Sequence, residues 1–154
     1  MNRTHFLRLV GTAVLASFVG TSAAADKGTP AEAEKLVGQV VADIKANGEA
    51  KTLAAVNDGK SYKDRDMYIF VYDMTGKCVA HGMNAKLVGK NLMGMKDPDG
   101  KPLIKMMVDL ASAKGRGWTD EVKFMHPLTG KIQTRVNYIE RVGDVIVGSG
   151  VFKD

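Results

Sequence analysis

The stretch that decides the fold is MYIFVYDMTGKCVAHGMNAKLVGKNLMGMKDPDGKP, Met67 to Pro102. Tyr68, Phe70 and Tyr72 alternate with Ile69 and Val71, so a strand here is apolar on both faces and both faces can be covered. Asp73-Met74-Thr75-Gly76 reads as a tight turn with glycine at the position that needs a left-handed backbone. Cys78-Val79-Ala80-His81 then returns antiparallel to the first strand. From Gly82 to Gly100 the chain carries Gly82, Gly89, Gly94 and the turn Asp97-Pro98-Asp99-Gly100. A loop this long inside a compact domain is usually functional. A hairpin that delivers one histidine to the mouth of such a loop is a way to build a small-ligand pocket.

Outward from this hairpin, the termini read clearly. Arg3 and Arg8 precede a short apolar run, Leu9 to Val19, and Ala23-Ala24-Ala25 offers a cleavage site before Asp26. This pattern predicts a signal peptide over residues 1–25 and a periplasmic or secreted domain over 26–154. The apolar run falls short of the roughly 20 residues that a membrane span requires. No second such run follows, so the expectation is a mature chain without a membrane span. The remaining 129 residues suffice for one domain with one core.

The formal charge of +5 drops by two with Arg3 and Arg8. Lys27, Lys35, Lys45, Lys51, Lys60, Lys63 and Lys77 are scattered rather than clustered with aromatics, which argues against nucleic acid as a partner. A mild positive excess suits an anionic small ligand, although solvated surface explains most of these lysines. Cys78 is the only cysteine, so the domain must hold without an internal disulfide. Its place in a strand reads as a small buried hydrophobe.

Thr29-Pro30-Ala31-Glu32 has the form of a helix start, with a Thr cap, Pro at the first helical position and Glu three residues on. Leu36, Val37, Val40, Val41 and Ile44 give one apolar stripe, ended by Asn47-Gly48. A shorter helix is expected over Glu49 to Val56, and a third around Leu103, Met107 and Leu110, stopped near Gly115. Three strands complete the chain: Trp118 to Met125, Ile132 to Arg141 and Val145 to Phe152. The order predicts a single α+β domain.

Tyr68-Ile69-Phe70-Val71-Tyr72-Asp73, Ala80-His81, Leu87-Val88-Gly89-Lys90-Asn91-Leu92, Asp97-Pro98-Asp99-Gly100-Lys101-Pro102, Gly117-Trp118 and Gly148-Ser149-Gly150 together resemble the single Cache domain family of exported sensor domains. The resemblance covers almost all of the chain after residue 25. It implies a PAS-like five-stranded antiparallel sheet. A long N-terminal helix would lie on one face, with a crossing loop and short helix on the other. It also implies a small-molecule sensor for a short-chain carboxylate such as pyruvate, lactate, acetate or propionate. Such a domain would act through a membrane-bound signalling or transport partner.

The residues present fit that chemistry, because a buried carboxylate needs a cation and hydrogen-bond donors. Arg135 supplies a bidentate fork, Tyr68 and Tyr138 supply hydroxyls, and His81 supplies a ring donor. Phe70 and Trp118 would wall the apolar end. Against these roles stand a satisfied strand-end histidine, a surface ion pair for Arg135 and an ordinary core tryptophan. Arg135 and Tyr138, three apart on one strand, reach a single pocket only if a bulge or twist intervenes. Two departures from the family pattern stand out. Gly82 replaces the proline that commonly follows the histidine, which would loosen the backbone there, and Thr119 to Pro127 runs one residue long.

Other functions fare worse. The chain has no nucleophile elbow, zinc-protease helix or phosphate loop, so an enzyme is not expected. His81, His126 and Cys78 lack zinc-ligand spacing, and Asp97-x-Asp99-Gly100 reads as a turn rather than a calcium loop. No cofactor is expected. The rival is a soft-metal protein: eight methionines follow the leader, including Met93-x-Met95 and Met106-Met107, and thioethers favour Cu(I). Core filling by methionine is the plainer account, and a pocketless interaction module is the third reading.

Overall fold

The computed structural model describes residues 27–153. The expected leader over 1–25, with its cleavage site, lies outside the described residues. The chain opens with helix α1 (Pro30–Asn47). Its start is a capping box: the Thr29 backbone N–H donates to Glu32 Oε2 at 2.8 Å, and the Glu32 N–H donates to Thr29 Oγ1 at 3.4 Å. Gly48, with φ of 88°, ends α1 and leads into α2 (Glu49–Asn57). Both helices and the cap stand where their residues predict them.

The strands follow as β1 (Lys63–Asp64), β2 (Met67–Tyr68), β3 (Phe70–Asp73) and β4 (Cys78–His81). After the crossing segment come α3 (Leu103–Lys114), β5 (Arg116–Trp118), β6 (Val122–Met125), β7 (Ile132–Val142) and β8 (Val145–Phe152). The main sheet is antiparallel in the order β4-β3-β8-β7-β5, with β6 also paired to β7. Five strand positions were expected, and the sheet has them. The outermost position is filled by two short strands, β5 and β6, so the strand count is six. The β1–β2 ribbon, by contrast, has no counterpart in the sequence reading.

The split of the outer strand has a local cause. Trp118 pairs with Tyr138, whereas Val122 pairs with Arg135, so three residues on the outer strand face two on β7. Such an extra residue breaks the ladder as a bulge. The break is closed by polar groups: the Thr119 N–H donates to Asn137 O at 2.9 Å, and the Asn137 N–H donates to Thr119 Oγ1 at 3.1 Å.

The strand face toward α1 carries Ile69, Val71, Val145 and Val147, packed against Val37, Val40, Val41 and Ile44. The opposite face carries Tyr68, Phe70, Tyr72, Ile139 and Ile146, covered by Leu103, Ile104, Met107 and Ala111 of α3. Both faces of the 67–73 segment are therefore covered, as the alternation requires. The β3–β4 turn closes with Gly76 at φ of 81°, and Asp73 Oδ1 accepts from the Thr75 and Lys77 N–H groups at 2.8 and 3.0 Å.

Strand β8 shows why Gly148-Ser149-Gly150 matters. A Cβ at Gly148 would collide with the ring of Phe70, and one at Gly150 would collide with the guanidinium of Arg135. Glycine at both positions lets two large side chains lie flat on the sheet. Gly148→Ala should therefore cost about 1–3 kcal/mol through overpacking. Urea denaturation measures this, and a loss under about 0.5 kcal/mol would show that Phe70 moves freely.

Candidate functional site

Between the aromatic sheet face and α3 lies a cavity of about 250 Å³. Tyr68, Phe70 and Tyr72 line it from the first hairpin, His81 from the end of β4, and Arg135 and Asn137 from β7. Leu103, Ile104 and Met107 of α3, with Asn84, Leu87 and Met95 of the crossing segment, form the cover, and Phe124 of β6 closes one side. A second depression, lined by Met83, Met125, His126 and Pro127, shares Tyr68, His81, Asn84, Leu87 and Phe124 with the cavity and adjoins it.

The cover is tied down rather than draped. Gly89 N–H donates to Cys78 O at 2.7 Å, Cys78 N–H donates to Lys90 O at 2.9 Å, and Leu92 N–H donates to Gly76 O at 2.8 Å. Asp97 has its carboxylate fully engaged: Oδ1 accepts from the Asp99 and Lys101 N–H groups, and Oδ2 accepts from Lys123 N–H of β6. Those bonds hold its carboxyl below the usual range and staple the crossing segment to the outer strand. The Asp97-Pro98-Asp99-Gly100 segment is thus a turn in the structure as in the sequence.

Arg135 is the centre of the site. It is 2% exposed, and Nη1 donates to the Tyr68 hydroxyl at 2.7 Å. Tyr68 and Phe124 each lie 4.9 Å from its guanidinium carbon, with Phe152 at 5.3 Å and Phe70 at 5.7 Å. Nε and Nη2 have no hydrogen-bond partner, and among the described residues no carboxylate pairs with it. Aromatic faces offset part of the cost of burying a cation, on the order of 2 kcal/mol per desolvated contact. They do not replace an anion.

His81 sits beside this charge, its ring 5.1 Å from that of Tyr68. Nδ1 accepts from the Met83 and Asn84 N–H groups at 3.2 and 3.0 Å. A neutral ring with Nδ1 so engaged carries its proton on Nε2, as a donor. The glycine after it does not loosen the backbone: Gly82 N–H donates to Ile69 O at 2.8 Å, a bond proline could not make. His126-Pro127-Leu128-Thr129 builds the same turn with proline, Nδ1 of His126 accepting from the Leu128 and Thr129 N–H groups at 3.2 and 3.4 Å.

Of the six side chains singled out in the sequence, the structure brings four together: Tyr68, Phe70, His81 and Arg135. Trp118 and Tyr138 are not among them. They are register partners with rings 5.4 Å apart, packed toward α1, where Trp118 Nε1 donates to Glu34 Oε1 at 2.8 Å. The bulge lies in the outer strand, while β7 pairs without interruption to β8 from Arg135 to Val142. Arg135 and Tyr138 therefore keep opposite parity.

Asn137, two residues from Arg135, shares its face, and parity alone could have found it. Phe124 could not be placed without knowing the bulge. Met95 and Met107 line the cavity, and Met74, Met83 and Met106 pack against the same core. Among the described residues no three His, Cys, Asp or Glu side chains converge as a metal site, and no helix is long and apolar enough to cross a membrane. Residues 82–114, which hold the cover, carry six lysines against Asp97, Asp99 and Asp109, so the cavity's cover is positive.

Burial, and then the nearby Arg135 charge, pushes His81 down from 6.5 to about 4. As the pH falls below 6.5 the unfolded chain takes a proton that the folded ring refuses until about 4. His81 thus contributes stability at neutral pH that is lost between these values, up to about 3 kcal/mol. Urea denaturation of the protein and of His81→Asn at about pH 7.5 and about pH 4.5 checks this. The unsubstituted protein should lose about 2–3 kcal/mol more than the variant, and equal losses would contradict it.

Among known proteins, the sensor histidine kinase MctS of Rhizobium johnstonii is 32% identical over 92 residues, which are 58% of this chain and 20% of that protein. The methyl-accepting chemotaxis protein McpP of Pseudomonas putida is 32% identical over 95 residues, 59% of this chain and 17% of that protein. The match thus spans about a fifth of either relative. A solved Cache chemosensory domain, studied for its carboxylic acid recognition, superposes with a TM-score of 0.64 at 22% identity, covering 80% of this chain and 88% of the other. That likeness concerns the fold. The family model described as Single Cache domain 2 matches residues 9–154, and the chain belongs to that family.

Proposed function

We propose that this domain captures a small carboxylate beneath the crossing segment and reports it to a signalling partner, without catalysing a reaction. The observation that carries this reading is Arg135, a buried guanidinium with two unpartnered nitrogens and no counter-charge on the lining of a cavity. An anion in that cavity would supply the missing charge. Carboxylate is the anion that matches a planar fork, with the Tyr68 hydroxyl and the neutral His81 ring as further donors. The excess of lysine over the cover would raise the local concentration of anions and speed their entry.

Acids such as pyruvate, lactate, acetate and propionate are the starting set, since the resemblance implies them and a structural neighbour recognises carboxylic acids. Both curated relatives are signalling proteins by name, which supports a sensory role with a membrane-bound signalling or transport partner. The signal-peptide pattern over 1–25 supports a periplasmic site of action. Helix α1 packs on the opposite face of the same sheet, so a ligand that shifts β7 or β8 would be felt there.

Arg135→Met separates this reading from a structural arginine. Removing an uncompensated buried charge in favour of a shape-matched apolar chain is neutral or stabilising. The variant should keep or raise its melting temperature while losing at least about 100-fold in carboxylate affinity, equivalent to about 2.7 kcal/mol. Thermal-shift titration reads both quantities. A variant that melts earlier yet binds acids undiminished would overturn the assignment.

A further inference from the structure

We infer that the preferred ligand is a monocarboxylate with an apolar tail of about five to seven carbons in all, its tail lodged against α3. This rests on the carboxylate reading above and goes beyond its short-chain starting set by charge and by volume. The lining holds one cation, Arg135, and no Asp or Glu. A dicarboxylate would bury a second charge without a partner, and an amino acid would bury an ammonium without one. Both are therefore excluded from tight binding.

Volume sets the length. A cavity of about 250 Å³ holds the equivalent of about eight waters at ~30 Å³ each. Propionate has five non-hydrogen atoms and would leave a large part of the space unfilled, forfeiting contact with the walls. An acid with about eight non-hydrogen atoms occupies that space at roughly one atom per water's share of volume. The distribution of polarity agrees. Arg135, Tyr68 and His81 lie on the sheet side, whereas Leu103, Ile104 and Met107, each at most 5% exposed, present an apolar wall from α3. Met95 and Met107 are unbranched and adapt to a flexible tail.

Calorimetric titration of the purified protein with straight-chain acids from acetate to octanoate tests this, with succinate and alanine as charge controls. Each methylene buried beyond propionate should tighten binding about fourfold, so hexanoate should exceed propionate by about sixtyfold. Affinity should then stop rising by seven carbons, and succinate and alanine should not bind. Tightest binding at two or three carbons would overturn the length inference while leaving the carboxylate reading standing. Succinate matching the best monocarboxylate, or affinity still climbing at octanoate, would overturn it as well. If no acid in the series binds, the carboxylate reading itself fails.

Discussion

A positive charge buried without a negative one is the constraint on which this domain turns. Arg135 lies almost wholly out of water, bonded through one nitrogen to a tyrosine hydroxyl and ringed by aromatic faces. Much of the surrounding sequence is legible as accommodation of that side chain. Gly150 leaves room beneath the guanidinium, and Gly148 leaves room for Phe70 next to it. The Tyr68 hydroxyl accepts the Nη1–H hydrogen bond, and desolvation together with the arginine keeps His81 neutral so that the two do not repel. A protein selected for stability alone gains nothing from such a group, since an apolar replacement would serve as well or better.

The sheet separates this chemistry from helix α1. Alternation along β3, β7 and β8 sends one set of residues to the cavity and the other to α1, and the two sets are one backbone apart. Gly150 and Ser149 are neighbours in sequence, but the first lies under Arg135 while Ser149 pairs with Tyr138 of the helix-facing set. On the cavity side, Asp97 joins the crossing segment to β6. On the helix side, Trp118 joins the same outer edge to Glu34 of α1. The edge strand therefore touches both the cover of the cavity and the long helix, and its bulge lies between the two attachments.

Local rules made most of this architecture readable. The Thr29 capping box, the Gly76 turn and the apolar stripe of α1 each depend on neighbours a few residues away, and each is present. The hairpin and its terminal histidine were readable for the same reason, and with them Tyr68, Phe70 and His81 of the cavity. What required long-range pairing was not readable. The faces of Trp118 and Tyr138 follow from which strand carries the extra residue, and a chain one residue long at Thr119–Pro127 does not disclose that its own partner strand stays regular. Likewise, Phe124 enters the cavity only because the register changes just before it. The role of the glycines in β8 was out of reach too, because Phe70 and Arg135 are remote in sequence and meet them only in the sheet.

The central claim is that the Arg135 guanidinium is the partner of a bound carboxylate, and nitrogen-15 NMR of the arginine Nε–H groups observes that partner directly. With a saturating straight-chain acid, the Arg135 Nε–H resonance, assigned by its loss in Arg135→Met, should move downfield and exchange more slowly with water as a charge-assisted hydrogen bond forms. A resonance unmoved while calorimetry reports bound acid would mean that the anion is held elsewhere, and the account of this site would be wrong.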